Sequence, residues 1–230
     1  FATPARLKFM KTARAETMAA VDVVNQLAMV RPDITFTLIT DDRTRLHYDA
    51  AQGELMEARL NRLAEVMGKD FAENAVTLKA ERDGARLTGY AGLPTLNRGN
   101  ARLQFLFVNG RPVRDKLIFG ALRAAYSGLL AHDRHPLVAL FIELAPSAVD
   151  VNVHPSKAEV RFQEPGMVRG LVVGALRHAL DDAGHRASTT VSRAALGAVH
   201  PEPIGESRSI SGALSSLGRS PREAASAYQA

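Results

Sequence analysis

Apolar positions fall into two spacings that alternate along the chain. Leu7, Met10, Val21, Val24, Leu27 and Ala28 recur at helical spacing and predict one or two helices over 4–29, with a break near Lys11-Thr12. Thr3 suits an N-cap, Pro4 suits the first helical position, and Arg31-Pro32 ends the helix. Ile34 to Thr40 and Thr44 to Tyr48 are β-rich, with Asp41-Asp42 as the turn between them. Leu55, Ala58, Arg59, Leu60, Leu63 and Val66 predict a short amphipathic helix that stops at Gly68. Strand patterns follow at 74–80, 85–93 and 102–109, and Asp83-Gly84 joins the first two as a strong hairpin turn.

Asn109-Gly110 is a tight turn, left through Arg111-Pro112-Val113. Asp115 stands at a helix start, and Leu117, Ile118, Ala121, Leu122, Ala125 and Leu129 form the expected apolar face. Leu137 to Leu144 is almost continuously apolar, which predicts a central strand covered on both faces. Beyond it, Val149, Val151 and Val153 alternate with Asp150, Asn152 and His154; Pro155 ends ladder pairing, and Val160 and Phe162 alternate with Glu159 and Arg161. Two strands, 149–154 and 158–163, are expected there with a tight joint between them. A final helix is expected from Gly166 to about Ala183, with Val168, Leu171, Val172, Ala175, Leu176 and Leu180 inward. From Ala187 onward Ser, Ala, Gly, Pro and Arg dominate, and residues 187–230 read as a disordered linker. Residues 53–184 thus predict α+β packing, with the helices on one face of a mixed sheet.

Composition narrows the function classes. The 230 residues suffice for one large or two small domains, and 46% hydrophobic with 23% charged residues is a globular profile. No apolar run is long enough to span a bilayer, and no signal-peptide pattern opens the chain. Cysteine is absent, which excludes disulfides, a thiol nucleophile and thiolate metal sites; no His/Asp/Glu spacing suggests a metal centre either. There is no P-loop and no Gly-rich dinucleotide fingerprint. The net charge of +5 favours polyanionic partners such as nucleic acid. Phe rather than Met stands first, and the chain is expected to be an internal piece of a longer protein.

Two groups of residues carry candidate chemistry. Lys157, at the tip of the 149–163 joint, is an ammonium held on a rigid turn, which suits an anionic oxygen such as a phosphate. The plain alternative is a solvated loop lysine. Asp150, Asn152 and His154, on the polar face of the preceding strand, would orient the loop by hydrogen bonds. The second group is Arg111, Arg114 and Lys116, which with Arg102, Arg123 and Arg134 makes the most basic part of the chain; the alternative is a solvated helix face. Phe105, Phe107, Phe119 and Tyr126 fall at core-like positions, so no aromatic side chain is interleaved with the charges to stack bases.

Three stretches of sequence point to a family. VDVNVHPSKAEVRF (149–162), FVNGRPVRDK (107–116) and TPARLKF (3–9) resemble motifs of the MutL (MutL/HexB) family of DNA mismatch repair proteins, in that family's order. Ala2 stands where the family usually has Asn. The resemblance covers roughly residues 1–184. It implies the C-terminal elements of a GHKL-type ATPase domain over 1–49, a ribosomal-protein-S5-like transducer domain over 53–184, and then the linker. It also implies that Lys157 reaches the terminal phosphate of ATP across a domain interface. By the same resemblance Arg111, Arg114, Lys116 and Arg123 lie at a groove that binds DNA independently of its sequence.

The family's nucleotide-holding motifs, among them an Asp-x-Gly-x-Gly loop and Gly-Phe-Arg-Gly-Glu-Ala-Leu, do not occur between Phe1 and Ala230. ATP and Mg are therefore expected in the intact protein, and no ATPase activity is expected of this piece alone. The implied partners are DNA, a mismatch-sensor protein, a nicking endonuclease, a helicase and a second copy of the intact protein. The implied location is the cytoplasm, in association with the nucleoid. The alternative is a standalone S5-like nucleic-acid-binding module without ATPase coupling. A topoisomerase ATPase domain is a weaker rival, because its nucleotide-contacting loop carries a different motif.

Overall fold

The computed structural model describes residues 10–151 and 159–198. The chain divides after Thr190 into two compact units, and the architecture below is that of the first.

Helix α1 (Ala13–Val30) starts where the break was expected: the hydroxyl of Thr12 accepts a hydrogen bond from the backbone N–H of Ala15. The start expected at Thr3-Pro4 lies outside the described residues. Only the last turn of α1 is buried, through Ala28 and Met29; Leu27, expected to face inward, is exposed together with Met18 and Val23. Strands β1 (Phe36–Thr40) and β2 (Arg43–Tyr48) form an antiparallel hairpin. Its turn residues Asp41 and Asp42 both take positive φ, a conformation that short polar side chains tolerate.

Helix α2 (Leu55–Met67) stops at Gly68, whose φ of 102° is open to glycine. Helix α3 (Lys69–Glu73) follows, too short for periodicity to have shown it. Strands β3 (Ala75–Arg82) and β4 (Ala85–Gly92) are joined by the Asp83-Gly84 turn. Next come β5 (Asn97–Arg98), β6 (Gln104–Val108), β7 (Arg111–Pro112), helix α4 (Lys116–Ala125), β8 (His135–Pro136) and β9 (Val138–Glu143). Strands β10 (Val149–Asp150) and β11 (Arg161–Phe162) form an antiparallel pair. Helix α5 is Pro165–Ala198, longer than the expected end near Ala183, and the expected linker begins inside it. Apolar periodicity runs out near Ala183 and gives no signal for these last turns; the rest of the expected linker, 199–230, lies outside the described residues. Residues 191–198 are the described part of the second unit.

The main sheet has the order β3-β4-β9-β6-β7. β6 and β9 are parallel and the other neighbours antiparallel, so the sheet is mixed, as expected. β9 lies at its centre. Gly89 lets β4 and β9 approach closely: a Cβ there would run into the backbone oxygen of Ala139.

The expected gathering of helices on one face is corrected by two hydrophobic cores, one on each side. Val138, Leu140 and Ile142 of β9 meet Ile118 and Leu122 of α4 and Val172 and Leu176 of α5. Ala139 and Phe141 face the other way, into a cluster with Met29, Leu63, Phe71 and Phe107, where the Phe107 and Phe141 rings stack at 4.8 Å. A strand apolar on both faces requires a helical layer on each, and α2 with α3 supplies the second.

Arg62 of α2 joins this second layer to the first 49 residues. Its side chain is fully buried and donates to the backbone oxygens of Ala28, Pro32, Ile34 and Asp49, while its Nε lies 2.9 Å from Glu65. Its guanidinium also sits 5.2 Å from the centre of the Tyr48 ring.

Candidate nucleic-acid interface

The basic segment leaves the sheet at the Asn109-Gly110 turn, where both residues take positive φ (47° and 74°). Asn–Gly is the pair that a two-residue turn of this hand requires. After β7 the chain enters α4 through Asp115, whose carboxylate accepts from the backbone N–H of Ile118 at 3.1 Å and caps the helix. Asp115 is buried. Burial pushes its carboxyl above the ordinary range, against the downward pull of the Ile118 and Leu117 N–H groups, and nearby Glu159 adds to the rise.

α4 ends at Tyr126, and Leu129, expected on its apolar face, lies past its end and is exposed. The buried hydroxyl of Tyr126 donates to the backbone oxygen of Gly92 at 2.7 Å, which fixes the end of the helix over β4. Burial also pushes the Tyr126 phenol upward, so it remains a donor.

Beside this helix end lies a cavity of about 650 Å³. Arg102, Arg114, Arg123 and Arg134 line it, along with His132 and His135. Phe119, Leu130 and Pro136 supply apolar surface. No Asp or Glu lines it, and none of the four arginines has a carboxylate partner among the described residues. Elsewhere Arg31, Arg82 and Arg86 are each paired, with Asp33, Asp83 and Glu81. β8 lines one side of the cavity, and Gln104 holds it there by donating to the backbone oxygen of Pro136 at 3.2 Å. Such a concentration of like charge without acids is satisfied by an anion, and arginine forks match phosphate oxygens.

Of the residues singled out in the sequence, Arg114 and Arg123 meet on this cavity, joined by Arg102 and Arg134. Arg111, in β7, and Lys116, the first residue of α4, are exposed but do not line it. His132 and His135 were missed; His132 lies in the connection before β8 and His135 is the first residue of β8, which is set by its non-local pairing with β5. Asn109 was read only as a turn residue, yet its side chain also ties the turn to Leu144, just past the end of β9.

The second candidate, Lys157, lies outside the described residues, as do Asn152 and His154. The described flanks are β10 and β11, which pair antiparallel with Asp150 opposite Arg161; residues 152–154 and 158 of the two expected strands lie outside the described residues. Val149 and Val151 pack against the core while Asp150 is exposed, in keeping with the alternation. Among the described residues no three of His, Asp or Glu gather into a group able to hold a metal ion. No described helix is long and apolar enough to cross a membrane.

Comparison with known proteins agrees with this architecture. A solved structure described as the N-terminal domain of a DNA repair protein shares the fold, with a TM-score of 0.62 at 22% identity over 78% of this chain and 58% of its own. The DNA mismatch repair protein MutL of Rhodospirillum rubrum is 60% identical over 87% of this chain and 32% of its own length. MutL of Phenylobacterium zucineum is 60% identical over 89% and 33%. The chain thus spans about a third of the length of the curated relatives it matches. The family model "DNA mismatch repair protein, C-terminal domain" matches residues 63–181, from within α2 across the whole sheet and into α5. With more than half of its length in that match, the chain belongs to the MutL family of DNA mismatch repair proteins.

Proposed function

We propose that this chain is the part of a mismatch repair protein that holds DNA by its backbone and links that grip to the ATP state of the intact protein. The observation that carries the reading is the arginine wall without acids, built on and beside the FVNGRPVRDK segment. Contacts of arginine and lysine with phosphates give affinity without sequence choice. In this reading Arg111, Arg114, Lys116 and Arg123 form the DNA face. Residues 1–49 are the closing elements of a GHKL-type ATPase domain, and 53–184 form the transducer.

ATP and its Mg²⁺ belong to the intact protein, and Lys157 is the residue of this chain that meets the terminal phosphate, on a loop oriented by Asp150, Asn152 and His154. The intact protein would act as a homodimer and work with a mismatch sensor, a nicking endonuclease and a helicase.

Fluorescence anisotropy of labelled duplex DNA across a salt series tests the DNA face. Lys116→Glu is expected to weaken binding and to reduce the slope of log K against log salt by about one unit. Equal slopes for the two proteins would remove Lys116 from the interface.

A further inference from the structure

We infer that the arginine-walled cavity is a pocket for one unpaired nucleotide of a DNA strand, with its phosphate on the arginines and its base against the apolar floor. The inference rests on the DNA-binding reading and deepens it. Three features of the cavity point there.

The first is shape. The cavity is concave and half open to solvent, and its volume of about 650 Å³ falls inside the roughly 300–1,000 Å³ range of pockets that hold small ligands. A duplex is convex, with its phosphates along the outside, so it rests on a basic surface and does not enter a hole of this size. A strand must leave the duplex to reach the floor.

The second is the division of the lining. A site for phosphate alone needs only charge, yet here Phe119, Leu130 and Pro136 stand among the arginines. An unstacked base seeks an apolar or guanidinium face, and single-strand sites pair such faces with a cationic track. The third is preorganisation. Tyr126 anchored to Gly92, and Gln104 anchored to Pro136, hold the two sides in place before any ligand arrives.

The test uses the full chain and three labelled probes: a short thymidine strand, the same strand annealed to its complement, and a strand of the same length without bases. Leu130 lines the cavity and carries no charge, so Leu130→Ala trims the apolar floor and leaves the arginine wall as it was. Leu130→Ala is expected to weaken the thymidine strand by about fivefold and the duplex by less than about twofold, and the native chain should bind the abasic strand about tenfold more weakly than the thymidine strand. Equal losses on strand and duplex, or equal affinity for the abasic strand, would overturn the pocket while leaving backbone binding in place. Absence of binding to all three probes would remove the DNA-binding reading along with it. If an oligoglutamate of equal charge displaces the thymidine strand as well as unlabelled thymidine strand does, the cavity takes an acidic peptide and the inference falls.

Discussion

The side-chain amide of Asn109 pairs with both backbone groups of Leu144: Nδ2 donates to the carbonyl oxygen at 3.0 Å and Oδ1 accepts from the N–H at 3.0 Å. Together with the bond from the Asn109 N–H to the Ile142 oxygen at 2.8 Å, this carries the pairing of β6 and β9 past the end of both strands. Leu144 stands a few residues before β10, so the turn that launches the basic segment is fixed to the base of the lysine joint. Asn109→Gly keeps the left-handed turn and loses the amide, which should lower stability by roughly 1–2 kcal/mol. Asn109→Ala also strains the turn and should cost about 1 kcal/mol more. Urea unfolding of the two variants separates the contributions, and identical midpoints would mean that the backbone conformation adds nothing.

Arg62 provides a second prediction. Arg62→Met keeps much of the volume but removes every donor to Ala28, Pro32, Ile34 and Asp49. Backbone oxygens buried without partners are expensive, and the loss should reach roughly 3 kcal/mol. Hydrogen exchange should rise first over residues 28–49 and only later in β9. An unchanged unfolding midpoint would show that water replaces the guanidinium without penalty.

Asp115 makes stability depend on pH. Folding raises its pKa, so the folded chain keeps this proton to higher pH than the unfolded chain does. The linked stability is full below the ordinary value of 3.8 and is lost as pH rises through the folded value. Asp115→Asn retains a capping oxygen and has no proton to lose. Relative to the native chain, the variant should therefore gain stability as pH rises from about 4 toward 7. A difference between the two that stays flat over that range would place the carboxyl in a more solvated setting than the structure gives it.

Lys157 is tested in the intact protein. If it meets the terminal phosphate of ATP, Lys157→Ala should lower ATP turnover by at least about tenfold, the scale expected for losing a charge aimed at a transferring phosphoryl group. Thermal unfolding should barely change. Turnover equal to that of the native protein would return Lys157 to the class of solvated loop lysines.

The local chemistry of this fold was readable in the sequence. Asp41-Asp42, Asp83-Gly84 and Asn109-Gly110 all take the positive φ that their side chains, or the lack of one, permit, and turns of this kind are set by adjacent residues. The apolar run of 137–144 and the cap at Asp115 are equally local. What escaped was non-local. β5 and β8 are two residues each and exist only because they pair. Leu129 seemed to continue a helix that ends earlier, where Tyr126 finds Gly92. Arg62 drew no reading in the sequence, because the backbone oxygens that receive it come from residues 28–49 and reach it only in the fold. At the cavity the charges were legible and their convergence was not, because Arg102 and Arg134 meet only after β6 and β8 take their places.

The Arg62 clamp has a consequence for how the molecule can be divided. The family resemblance implies a domain boundary between residues 49 and 53. Chemically that boundary is a seam: the cation on one side has its lone pairs on the other. A chain opened at Gly53 would carry a guanidinium left with Glu65 alone, its four backbone acceptors gone, and an uncovered patch where Met29 sat. The modules that sequence similarity would trade as separate parts are, at this seam, one piece of protein.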